Sequence, residues 1–194
     1  MAAAVIMTAT ARAGPRDHES GFLLRLAGGV EMTDSRFASA DARVWGTAGA
    51  LNVAIGGIIV PNLALHGTLW GWTALNPAVT EGSIGGEPQE AFGLGAYGGG
   101  LTYYVMPANI YLSGSFGVGV LQLDASGIRG STDAGIAVDI SLGKEWWVGD
   151  MWGLGVAAAF GYYSATKGGG DDDPLRTARW KGKSIGLRFT ATVN

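Results

Sequence analysis

Apolar residues alternate, position by position, with small or polar ones in eight separate runs along this chain. A period of two is the pattern of a strand with one greasy face, and turn signals between the runs divide the chain into pieces of about ten residues. In the clearest run Ile136, Val138, Ile140 and Leu142 alternate with Ala137, Asp139, Ser141, Gly143 and Glu145. Such a chain folds as strands, and its faces differ in chemistry.

The pattern predicts strands over 21–32, 43–59, 63–73 and 91–104, followed by four more. The fifth carries Ile110, Leu112, Phe116, Val118 and Val120, and the sixth is the run just described. The seventh carries Trp152, Leu154, Val156, Ala158, Phe160 and Tyr162; the eighth carries Ile185, Leu187, Phe189, Ala191 and Val193. Gly98-Gly99-Gly100 leaves the parity of the fourth strand open and predicts a bulge there. Short turns at Pro61-Asn62, 106–109 and 148–150 alternate with long polar connections over 33–42, 74–90, 124–132 and 165–176, as an up-and-down barrel with short periplasmic turns requires.

Composition decides which barrel. The 194 residues include 34 glycines and no cysteine, the formal net charge is -3, and 47% of residues are hydrophobic against 15% charged. Mean hydropathy is +0.22, yet no apolar stretch approaches the ~18 residues of a spanning helix. Disulfide scaffolds and thiolate metal sites are excluded, and the acidic balance argues against nucleic acid as a partner. A soluble barrel would carry charge on its outer face, whereas the non-apolar faces here hold Gly, Ala, Ser and Thr with sparse charges. Those faces suit a small polar lumen and leave the apolar faces to lipid. The expected fold is therefore an all-β, eight-stranded antiparallel transmembrane barrel over 21–194.

The start of the chain reads as an address. Residues 1–13, ending Ala11-Arg12-Ala13, are expected to be a truncated signal peptide, and 14–20 a periplasmic segment.

Aromatic residues are expected in two belts at the headgroup level, because an amphipathic ring prefers that depth. Trp45, Trp70, Trp72 and Trp180 are assigned to the outer belt and Tyr103, Tyr104, Trp146, Trp147 and Trp152 to the inner one.

The stretch from Gly100 to Gly114, GLTYYVMPANIYLSG, and the later GKEWWVG from Gly143 to Gly149 resemble the small eight-stranded outer-membrane barrels related to the OmpA transmembrane domain and OmpX. The likeness in architecture covers roughly residues 20–194. It implies a Gram-negative outer membrane, no shared activity, and assembly by the barrel assembly machinery. The ending Thr192-Val193-Asn194 departs from the terminal aromatic residue that this machinery reads in such barrels.

Parity places Arg25, Glu31, His66, Asp139, Glu145 and Arg188 in the lumen. Arg25 and Arg188 lie on strands that become neighbours on closure, so they are expected to approach each other, with Asp139 and Glu145 as acidic partners. The result would be a plugging ion-pair network, or a gate if the pairs exchange. Gly and Ala on the lumen sides of the second and seventh strands leave room for a pocket, and also serve curvature. Arg43, Arg179, Lys181 and Lys183 face outward at the outer rim, where lipopolysaccharide phosphates are expected. Asp171-Asp172-Asp173 reads as a solvated loop and not a calcium site. His18 and His66 both sit toward the inner end, away from the loop serines Ser35, Ser39, Ser83, Ser126 and Ser131, so no catalysis, cofactor or metal is expected. The expected role is structural or surface-interactive, exerted by a monomer in lipid; a narrow pore or small-ligand carrier is the alternative.

Overall fold

The computed structural model describes residues 18, 21–37, 42–80, 89–125, 128–149, 151–166 and 179–193. Eight long strands form one antiparallel sheet: β1 (Gly21–Phe37), β2 (Ala42–Val60), β3 (Leu63–Leu75), β5 (Gln89–Val105), β6 (Ile110–Ala125), β8 (Gly135–Trp147), β9 (Trp152–Thr166) and β10 (Arg179–Val193). Each pairs with the next in the chain, and β1 pairs with both β2 and β10, which closes the barrel and leaves no edge. Two short strands lie in the outer connections: β4 (Ala78–Thr80) pairs antiparallel with the outer end of β2, and β7 (Ile128–Ser131) folds back on β6.

The wall is inside out relative to a soluble protein. Leu51, Leu69, Phe116, Leu187 and Phe189 are exposed, the last at 76%, while Arg25, Glu31, His66, Asp139, Glu145 and Arg188 are all at or below 4%. Exposed apolar side chains on every long strand form one continuous belt, which water would not tolerate but hydrocarbon requires. Asn62 and Asn109, at φ 66° and 49°, close two short turns in the left-handed region that Asn enters more readily than most side chains.

Three sequence expectations are corrected here. The strands run past the expected boundaries at their outer ends: β1 continues through Asp34, Ser35 and Arg36 to Phe37, so Ser35 is a buried wall residue rather than a loop serine. The polarity of the alternation inverts there. Above the lipid the outward face meets water and is charged, and the inward face becomes the greasy one, so a pattern read as apolar-out ends too early. Second, register through Gly98-Gly99-Gly100 is unbroken on both sides; the irregularities lie between Ile58 and Val60 and between Gln89 and Ala91. A Cβ at Gly100 would meet His66 Cε1 at 2.5 Å and Ser115 Oγ at 2.6 Å, so this glycine serves a close approach rather than a bulge. Third, the aromatic belts are partly misassigned: Trp70, Trp72, Trp180 and Tyr104 are buried inside the barrel, and Trp147 is half-buried on the same inward parity. Trp45, Tyr103, Trp146 and Trp152 are exposed on the outer surface. The signal peptide, Ser39, Ser83, Ser126 and Asp171-Asp172-Asp173 lie outside the described residues.

Candidate functional site

The lumen is filled in layers. At the outer end Phe37, Trp72, Phe92, Tyr163 and Trp180 form an aromatic plug, with Phe37 and Trp180 stacked at 4.9 Å, Trp72 edge-on to Phe92 at 5.4 Å, and Phe92 at 5.8 Å from Trp180. Tyr163 lies 5.9 Å from Trp72 and hydrogen-bonds to Ser35. Below them Trp70 packs on Ala96 and Ala137. The wide rings occupy the volume that the Gly and Ala positions of β2, β5 and β9 leave open, which is the physical reason they turn inward.

The next layer is ionic. Arg188 reaches Glu31 Oε1 from Nε at 2.8 Å and from Nη2 at 2.5 Å, and Asp139 from Nη1 at 3.0 Å and from Nη2 at 2.6 Å. Asn52 Nδ2 also donates to Asp139 Oδ1, at 3.1 Å. One guanidinium thus bridges two carboxylates at the centre of the wall, and its multiple charge-assisted hydrogen bonds offset part of the cost of burying them.

Arg25 does not join that network. Its register partner is Thr192, whereas that of Arg188 is Gly29, so the two guanidinium groups sit at different heights on neighbouring strands. Arg25 donates from Nη2 to Ser113 at 2.7 Å and Thr102 at 3.2 Å, and its guanidinium lies 4.6 Å over the Tyr111 ring. Thr102 gives its own proton to Ser113 at 2.9 Å, so His66 Nε2 donates to Thr102 at 3.0 Å. The other ring nitrogen of His66 then accepts from Thr68, at 2.7 Å, and Ser115 donates to Thr68 at 3.3 Å. Glu145 accepts from Thr192 at 2.6 Å. The single ion-pair network expected from sequence is therefore three clusters: Glu31–Arg188–Asp139, the hydroxyl chain around Arg25 and His66, and Glu145 with Thr192.

The inner mouth is closed by Tyr104, Tyr111 and Ala157, with His18 stacked on Tyr104 at 3.7 Å. Among the described residues, no group of three or more His, Asp and Glu side chains could hold a metal ion.

On the outer rim Arg43, Arg179, Lys181 and Lys183 are exposed, and sequence reasoning missed a fifth cation, Arg36. Register sets Arg36 between Lys181 and Arg43, three cations abreast, with Asp34 between Lys183 and Trp45 in the next row. Asp34 forms a two-pronged pair with Arg43 at 2.8 and 2.9 Å. Arg36 shares the outward parity of Asp34 and could have been found by continuing the alternation of β1 through residue 36.

No protein-family model matches the chain, and a search of curated proteins finds no match. Solved structures do match. Neisserial surface protein A aligns with a TM-score of 0.50 at 13% identity, over 87% of this chain and 97% of that one. OprG from Pseudomonas aeruginosa aligns with a TM-score of 0.50 at 10% identity, over 91% and 98%. Ail of Yersinia pestis aligns with a TM-score of 0.48 at 11% identity, over 87% and 98%. Identity this low speaks to the fold alone, and it agrees with the closed register and the apolar belt: the chain is an eight-stranded transmembrane β-barrel with the fold of the small bacterial outer-membrane barrels.

Proposed function

We propose that this protein is a closed, non-conducting monomeric barrel of the bacterial outer membrane, inserted by the barrel assembly machinery, whose work is done at its outer rim and loops. The observation that carries this reading is the layered lumen: among the described residues an aromatic plug, an ionic cross-tie and a tyrosine layer occupy the interior one below another. Layers of this kind disfavour the pore and carrier alternative. The decisive experiment is conductance in planar bilayers. Silent membranes at sustained voltage are expected, and steady channel openings would overturn the proposal.

The finer partner we infer is lipopolysaccharide. Cations directly opposite one another repel; Asp34 pairs with Arg43, which leaves the row Lys181–Arg36–Arg43 with cations in excess, and phosphates at the outer headgroup level would balance them. Replacing Arg36 and Lys181 together by Gln should abolish the extra thermal stability that lipopolysaccharide-containing vesicles confer over phosphatidylcholine vesicles. An undiminished difference would refute this contact.

A further inference from the structure

His18 stands outside the wall yet is one of its most enclosed residues, at 2% exposure. Its ring stacks on Tyr104 at 3.7 Å and 19°, and lies 5.3 Å from the Trp147 ring. Nε2 is 3.0 Å from Asn109 Oδ1, which accepts its proton. The backbone is held as well: Asn62 N–H donates to the His18 carbonyl at 2.7 Å, and the Asn62 carbonyl accepts from Tyr104 N–H at 2.8 Å. Glu145 N–H donates to the Asn109 carbonyl at 3.0 Å. His18 thus bridges the turn at Asn62, through its carbonyl, and the turn at Asn109, through its ring, over the mouth.

The surroundings are shaped for such a ring. Trp147 Nε1, Asn109 Nδ2 and Asn62 Oδ1, on the residues around it, are buried without a hydrogen-bond partner. Left dry and unpaired, each such group costs roughly 1–3 kcal/mol. Two flanking aromatic rings and the Asn109 Oδ1 acceptor make a slot for a flat heteroaromatic group with an N–H. Gly21, the first residue of β1, has a φ of 128° that a side chain rarely adopts, although nothing lies within 4 Å of a Cβ there. Gly21 is required by its backbone conformation at the inner end of β1.

We propose that the periplasmic mouth is a socket for a planar heteroaromatic group of the imidazole class, and that His18 occupies it in cis as a removable stopper. The ring itself contributes a stack on Tyr104, a contact with the Trp147 ring and a hydrogen bond to Asn109, and none of these is part of the β-ladder that closes the wall. Removing the ring alone therefore opens the socket while the wall keeps its own pairing. Water then reaches Tyr104, Tyr111 and Ala157, the layer beneath. This goes beyond the closed-lumen reading and fails separately from it, because the ionic and aromatic layers above would still block current.

The chain has no cysteine, so Ala157→Cys, buried at 3% beside Tyr104 and Tyr111, introduces a single reporter thiol under the stopper. Full-length protein refolded in vesicles is treated with a small water-soluble methanethiosulfonate, and heat-modifiable migration on gels confirms folding. With His18 present, labelling should be slow. His18→Gly should label about tenfold faster, the opening expected from loss of one ring stack and one hydrogen bond. Added imidazole should slow labelling of His18→Gly back toward the parent rate, which an unspecific loosening of the mouth would not allow. Labelling no faster in His18→Gly, or unaffected by imidazole, overturns the proposal. Should His18→Gly fail to fold, Gly21→Ala misdirects the stopper without altering the socket. It should also label faster, and an unchanged rate overturns the proposal equally.

Discussion

Replacing Arg188 by alanine tests the centre of the wall. Arg188, Glu31 and Asp139 are exposed by 4%, 1% and 3%, and the guanidinium makes four contacts of 2.5–3.0 Å to the two carboxylates. Removing one partner of a buried ion pair costs about 3–5 kcal/mol, because the other charge is left uncompensated. Here two carboxylates are stranded, with Asn52 the remaining donor to Asp139, so the upper end applies, about 5 kcal/mol. Protonation and water entering the vacated volume limit the loss. At a urea dependence of about 2 kcal/mol per molar, the unfolding midpoint should fall by roughly 2.5 M. The assay is urea unfolding in vesicles, followed by tryptophan fluorescence and by heat-modifiable migration. A companion variant, Arg188→Met with Glu31→Gln and Asp139→Asn, removes all three charges at similar volume and should recover most of the loss. The reasoning is refuted if the alanine variant unfolds at the parent midpoint, or if the neutral triple variant is no more stable than the single one.

Two further perturbations test the inside-out wall. Phe189, exposed on the lipid face of β10, should cost about 2–4 kcal/mol when changed to Lys if it lies near the bilayer midplane; measured in vesicles, an unaffected midpoint would mean that this face does not contact hydrocarbon. A Cβ at Gly143 would overlap the Tyr111 ring, so Gly143→Ala should lower stability by about 1–3 kcal/mol through overpacking beneath the ionic layer, and equal unfolding midpoints would show that the ring has room to move.

Parity was the legible part. On β3 the alternation that puts His66 and Thr68 inside also puts Trp70 and Trp72 inside, and on β10 the parity of Ser184 and Arg188 extends back to Trp180. The belt expectation overrode that parity, because large aromatic rings are common at membrane interfaces and the lumen looked too narrow to need them. The opposite holds: a wall lined with Gly and Ala creates space that rings then fill. Sequence also named the lumen charges without revealing how they divide. Arg25 and Arg188 share a face and differ by four positions of register on adjacent strands, Arg25 against Thr192 and Gly29 against Arg188, and nothing local encodes that offset.

By itself, then, the sequence determined the strands, their two faces and their burial in lipid, because a period of two and the hydropathy of each face are local properties of consecutive residues. Which residues meet across the lumen, that Arg188 takes both Glu31 and Asp139, that Arg25 is left to hydroxyls, and that His18 closes the mouth were decided only when the sheet closed. Closure fixes the stagger of eight strands at once, and through it the distance between side chains as far apart in the chain as Glu31 and Arg188.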